Sequence, residues 1–226
     1  MEKIIYLVNG LPSETHEQFK NRVFDALNLL AKNEKPGSLK VVLTENPPPS
    51  ISIIPFKKQK IASISVFQKN KTLSEILLKI QGFSGVYQVT EALPVAYEKT
   101  WEDGEPTPGV NLLTLFRQKK GITYETFLDR WHNSHTPLSL RLHPLWNYNR
   151  NVVNEKLSDN STNWDGIVEE HFRTKSELLN PFKFFGKPLS IIPNMLEVYT
   201  DTKAFLDYKT IETYLATEYH IVSSKS

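Results

Sequence analysis

The chain has 226 residues, 39% of them hydrophobic, enough for one large domain or two small ones around a buried core. Its 27 Lys and Arg nearly balance 25 Asp and Glu, and the net charge of +2 is spread along the sequence, so no nucleic-acid partner is implied. The absence of cysteine excludes a disulfide framework, a thiolate nucleophile and cysteine-held zinc or iron–sulfur sites. No apolar run could span a bilayer, and the opening "MEKIIYLVNG" is too short for a signal segment. The expectation is a soluble cytoplasmic protein without a membrane partner.

In chain order, "KIIYLV" (3–8) reads as a strand. "SETHEQFKNRVFDALNLLAKN" reads as a helix with Phe19, Val23, Leu27 and Leu30 on one stripe. A turn at Pro36-Gly37 leads to strand "LKVVLT", the proline-rich loop "ENPPPS" and strand "IASISVFQ". A second helix, "TLSEILLKI", opens at Thr72 with Glu75 at the capping-box position, and "GVYQVTEAL" ends the series as a strand. The order is β-α-β-β-α-β.

After "EDGEPTPG", which reads as a linker, the same order begins again. Strand "VNLLTLF" precedes a helix bearing Tyr124, Phe127, Leu128 and Trp131, followed by strands "WNYNRNVV" and "WDGIVEEHF". Helical material from Thr174 and the last strand "ETYLATEYHIV" complete it. The expected fold class is α+β: two tandem ferredoxin-like βαββαβ modules, residues 1–100 and 110–226, with antiparallel sheets that cover each other in a dimeric α/β barrel type of arrangement. Pairing of the sheets within one chain, as an intrachain pseudo-dimer, or between chains of a homodimer both stay open. Alternation in the last two strands is ambiguous. One face of each bears Glu and His (Glu169 and His171; Glu218 and His220), which suits a wet barrel interior or an exposed sheet equally.

Chemistry concentrates in "FLDRWHNSHTPLSLRLHPLWNYNRNVV", where three of the six histidines fall. Phe127, Trp131, His135 and Leu138 share one helical face, which turns His135 toward the sheet and leaves His132 facing solvent. His143 reads as a surface or turn residue. Pro137 lacks an N–H and disfavours helix at Thr136, so the helix should stop, kink or restart there. An inward imidazole can act as general acid or base, or satisfy a core hydrogen bond. On the next strand Trp146, Tyr148, Arg150 and Val152 share a face, and Tyr148 could meet His135 across a pocket; Asn147, Asn149 and Asn151 share the other. Metal binding is not expected, because the Glu–His pairs lie on strands separated by another. No Gly-x-Gly-x-x-Gly, Walker loop or Gly-x-Ser-x-Gly is present, which argues against dinucleotide binding, a P-loop or an α/β-hydrolase elbow.

The series Gly121-Ile122-Thr123, Phe127, Trp131, His135-x-Pro137, Tyr148-x-x-Asn151-x-Val153 and Asp165-Gly166 resembles the EthD domain of the dimeric α/β barrel superfamily, over roughly residues 110–222. Val152 stands where that family often has a second His, and the first half lacks the Trp and His-x-Pro signature, resembling a degenerate copy. The resemblance implies a cofactor-independent lyase, isomerase or oxygenase acting on a small aromatic or oxo compound. In that reading His135 is general acid/base, Tyr148 orients or polarises an oxygen, and Trp131, Asn151 and Asp165 bind and orient substrate. A non-catalytic small-molecule binder on the same scaffold is the alternative, and haem ligation by His135 a third.

Overall fold

The computed structural model describes residues 2–69 and 72–224. Among them, strands β1 (Glu2–Asn9), β2 (Ser38–Leu43), β3 (Ile61–Gln68), β4 (Phe83–Val95), β5 (Val110–Phe116), β6 (Asn147–Lys156), β7 (Gly166–Phe172) and β8 (Glu212–Val222) close into one barrel. The order is β1-β3-β2-β8-β5-β7-β6-β4, with every neighbouring pair antiparallel. The first half supplies the run β4-β1-β3-β2, and the second half supplies β8-β5-β7-β6. They are joined along two seams, β2 with β8 and β4 with β6, so the barrel closes within one chain. Closure removes the edges that two open sheets would otherwise expose.

Helices cover the outside. Helix α1 (His16–Glu34) begins at Thr15, whose side chain accepts from the Gln18 N–H while Gln18 reaches back, a full capping box. Its stripe of Phe19, Val23, Leu27 and Leu30 packs on Ile4, Tyr6, Ile64 and Val66. Helix α2 (Glu75–Leu78) is capped by Ser74, two residues beyond the expected cap at Thr72, because the Ser74 hydroxyl is the one placed to accept from the Leu77 N–H.

Over the second half, α3 (Tyr124–Asp129) runs into a π-helical turn (Arg130–His135) and then α4 (Thr136–Leu142). The expected break at Pro137 is absorbed by that turn. The Thr136 N–H bonds five residues back to the Trp131 carbonyl, and the Thr136 hydroxyl donates to the same oxygen at 2.9 Å, so the chain passes the proline without stopping. Short helices α5 (Lys175–Leu179) and α6 (Pro181–Phe184) and the longer α7 (Ile191–Phe205) finish the cover.

Strand alternation divides inside from outside. In β6 the three asparagines face the barrel interior; in β7 Ile167, Glu169 and His171 do so, and in β8 Tyr214, Ala216 and Glu218. The wet-interior reading of the Glu and His faces is therefore the correct one. One end of the interior is an apolar cluster of Ile5, Leu7, Val42, Ile61, Leu113, Ile167 and Tyr214, and the other is polar. The segment 102–109, expected as a free linker, lies across the polar mouth: the Gly104 and Thr107 N–H groups donate to the His220 and Glu218 carbonyls.

Candidate functional site

A cavity of about 400 Å³ lies between the outer face of the second half's strands and helices α4 and α7, lined mainly by aliphatic and aromatic side chains. Four of its residues carry chemistry: His135, Ser139, Tyr148 and Glu170. The π-helical turn matters here, since it sets His135 over the cavity while Trp131 stays packed on the sheet. Gly166 makes that packing feasible; a Cβ there would lie 2.3 Å from the Phe116 ring and 2.8 Å from the Trp131 ring.

His135 Nδ1 lies 2.8 Å from Asp201 Oδ2 on α7, a carboxylate that also accepts from the Ser134 hydroxyl. These bonds hold the Asp201 carboxyl below its usual range against the opposing effect of burial. An ionised Asp201 fixes the proton on His135 Nδ1, which leaves Nε2 as an acceptor, and the Ser139 hydroxyl stands 3.2 Å from it.

Tyr148 is fully buried beside Trp131 and Thr136, and burial raises its phenol well above the ordinary value. It remains a protonated donor at neutral pH. Directly opposite it across the β6–β7 ladder is Glu170. Glu170 has no hydrogen-bonding partner among the described residues, and desolvation alone pushes its carboxyl up to about 7.

The residues expected from the sequence are only partly brought together. His135, Tyr148 and Trp131 line the cavity. Asn151 does not: it faces the barrel interior, on the opposite side of the sheet, where its Nδ2 donates to the Ile167 carbonyl at 2.9 Å. Asp165 is also elsewhere, ahead of β7, accepting from the Gln118 N–H at 2.7 Å and so fixing a loop. Trp146 precedes β6 and turns toward His171, with ring centres 5.8 Å apart, instead of sharing the Tyr148 face.

Two further histidines differ from expectation. His132 is half-buried against Trp131, with its ring 5.6 Å away. His143 is a buried wall of the cavity, stacked on Phe184 at 4.0 Å and bonded through Nδ1 to the Phe184 carbonyl, and burial lowers its imidazole to about 4. The Glu–His pairs, expected to lie apart, converge across the barrel lumen to 3.9 Å between His171 and Glu218, because a closed barrel brings non-adjacent strands face to face. Lys40 fills that space, and no metal-holding group of three His, Asp or Glu occurs among the described residues.

Glu170, Ser139 and Asp201 escaped the sequence reading. Glu170 had one available signal, a carboxylate on the outer set with Val168 and Phe172; Asp201 and Ser139 had none, as only the fold brings α7 to α4.

No protein-family profile matches the chain, and no curated protein matches it. Among solved structures it is similar to an anthrone oxidase-like protein, at 9% identity and TM-score 0.58, covering 100% of this chain and 96% of that one. It is also similar to a candidate monooxygenase from Fusobacterium nucleatum subsp. nucleatum ATCC 25586, at 10% identity and TM-score 0.54, covering 100% and 94%. No helix among the described residues is long and apolar enough to cross a membrane. At these identities the likeness is one of fold: an α+β chain whose eight antiparallel strands close into a helix-covered barrel.

Proposed function

We propose that the chain is an EthD-like enzyme built from two tandem ferredoxin-like modules, using a carboxylate base on a small aromatic ketone or related oxo compound. The observation that carries this reading is Glu170, an unpartnered carboxyl poised near neutrality inside an apolar cavity. A base is most effective when its pKa lies near the working pH, and burial has moved this one there. The module reading draws support from topology, since both halves place their strands in the order fourth-first-third-second.

In this reading Glu170 removes a proton from a carbon conjugated with the substrate carbonyl. The Tyr148 hydroxyl, one residue across the ladder, donates to the oxygen on which the charge collects. His135, polarised by Asp201, exchanges the proton with solvent, and Trp131 forms an aromatic wall. Asn151 and Asp165 act only by holding strand and loop geometry. Haem ligation by His135 would have to displace Ser139 from Nε2, 3.2 Å away, although the Asp201 contact at Nδ1 is of the kind that supports a ligating imidazole.

Anthrone, suggested by the name of one structural neighbour, is a suitable probe: it has an acidic C–H conjugated with a ketone, and with O2 it gives anthraquinone and water. Oxygen uptake by the wild-type protein should exceed the uncatalysed rate and rise as pH passes about 7, where Glu170 ionises. Glu170→Gln should lower the rate by about 10²–10⁴-fold while anthrone still quenches tryptophan fluorescence. Equal rates in the two proteins would remove Glu170 as the base. Binding without any turnover would favour the binding-protein alternative, which the apolar lining also suits.

A further inference from the structure

The polar end of the barrel interior is separate from the cavity above, on the other side of the sheet. Lys40 Nζ lies 2.5 Å from Glu169 Oε2 and 3.1 Å from Glu218 Oε2, and Lys3 Nζ lies 2.7 Å from Glu91 Oε1. Three carboxylates thus face two ammonium groups, with the His171 and His220 rings 3.9 and 3.6 Å from Glu218. Burial lowers the His171 imidazole and favours its neutral form.

Among the described residues the buried atoms without a partner here include the Ser65 hydroxyl, opposite Lys40, and the Trp101 indole N–H, but the two that adjoin each other are acceptors. Glu169 is wholly buried, and its Oε1 has no partner, its Oε2 being taken by Lys40. Asn149 is directly opposite Glu169 in the β6–β7 register. Its Nδ2 donates to Glu91 at 2.6 Å, which fixes the amide orientation and leaves Oδ1 buried and unpartnered. Two adjacent buried acceptors are costly when left alone and call for N–H or O–H donors. Water could supply donors, but a bare carboxylate oxygen is met more strongly by a charged one.

An open cavity of about 610 Å³, lined by Tyr97, His220, Lys40 and Glu91, reaches as far as Asn149, the ladder neighbour of Glu169. Its mouth carries an aromatic cluster, with Tyr97 5.0 Å from both Trp101 and Trp146. Those indoles already attract cations: Lys99 lies 5.9 Å from the Trp101 ring and Arg173 5.5 Å from the Trp146 ring.

We propose that the polar end of the barrel is a second ligand site, which takes a small organic compound bearing a primary ammonium group, held by Glu169 Oε1 and Asn149 Oδ1 behind the aromatic mouth. Charged N–H donors match two bare acceptors, one of them a carboxylate oxygen, and the aromatic mouth suits an attached alkyl chain.

Calorimetry on the full chain at neutral pH, with tryptophan fluorescence recorded in parallel, tests this with three probes. Propylammonium should bind saturably and perturb the fluorescence, while propionate should not bind. Tetramethylammonium, a cation without N–H or O–H donors, should bind at least about tenfold more weakly than propylammonium. Glu169→Gln should weaken propylammonium by about tenfold or more and leave anthrone oxidation unchanged, since Glu169 lies outside that cavity. No saturable propylammonium binding, or tetramethylammonium binding as tightly, would overturn the proposal. Should Glu169→Gln fail to fold, the wild-type probe series still decides.

Discussion

The two halves of the barrel wear their helices differently. Over the first half, one uninterrupted 19-residue helix with a complete cap lays an all-apolar stripe onto a strand face that is itself apolar: Ala62, Ile64 and Val66 on β3. Over the second half, the corresponding cover is split by a π-helical turn and a proline. The third strand presents Gly166, Val168, Glu170 and Phe172, and a cavity remains. The same strand order therefore supports a filled layer on one side and a hollow one on the other. What separates them is local: a helix that stays regular fills the groove, and one that widens by a residue per turn lifts side chains off it.

The sharpest way to break this contrast is to give the first half the second half's carboxylate. Val66→Glu would place an ionisable group under α1 with no cavity and no partner, and should cost about 4 kcal/mol or more of stability in urea denaturation. A loss below about 1 kcal/mol would mean that the first-half layer opens as easily as the second, and the comparison would fail.

How much of this could be read from the sequence follows the same division. Periodicity located the strands closely, "IASISVFQ", "VNLLTLF" and "ETYLATEYHIV" to the residue, because alternation and β-branching are local signals. The α1 stripe was equally legible. The inward turn of His135 was too, since the helical face is set by spacing. Asn151 belongs to the family motif, yet alternation puts it with Asn147 and Asn149 on the face opposite Tyr148, and the structure follows the alternation. His143 looked like a turn residue because its burial depends on Phe184, 41 positions away. Glu170, Ser139 and Asp201 were invisible as a group, as nothing local says that α7 returns over α4 or that a carboxylate on β7 will lack a partner.

A second test concerns the hollow layer itself. Between pH about 4.5 and about 7 the folded chain keeps a proton on Glu170 that the unfolded chain has lost. Stability should therefore fall as pH rises through that window and level off above it. Glu170→Gln should remove this dependence. At pH 8 it should stabilise the protein by at most about 3.5 kcal/mol, from a carboxyl raised from 4.5 to about 7 at about 1.4 kcal/mol per tenfold change in proton affinity, with the gain gone below pH about 4.5. Equal denaturation midpoints for both proteins at pH 8 would show that water reaches Glu170 freely.

The smallest effects distinguish what holds the split cover in place. Two side-chain contacts link the α4 region to α7: the hydrogen bond of His135 with Asp201, both largely buried, and the ion pair of Arg141 with Glu197, both about half exposed. Asp201→Asn should cost about 1–2 kcal/mol, because it weakens bonds to His135 and Ser134 in a partly dry site, and should release the His135 tautomer, visible in its imidazole NMR shifts. Arg141→Ala should cost less than about 0.5 kcal/mol, since solvent and side-chain entropy offset an exposed pair. If the order were reversed, the helices would be clasped from the surface, and the His135–Asp201 contact would be a consequence of their approach instead of a cause.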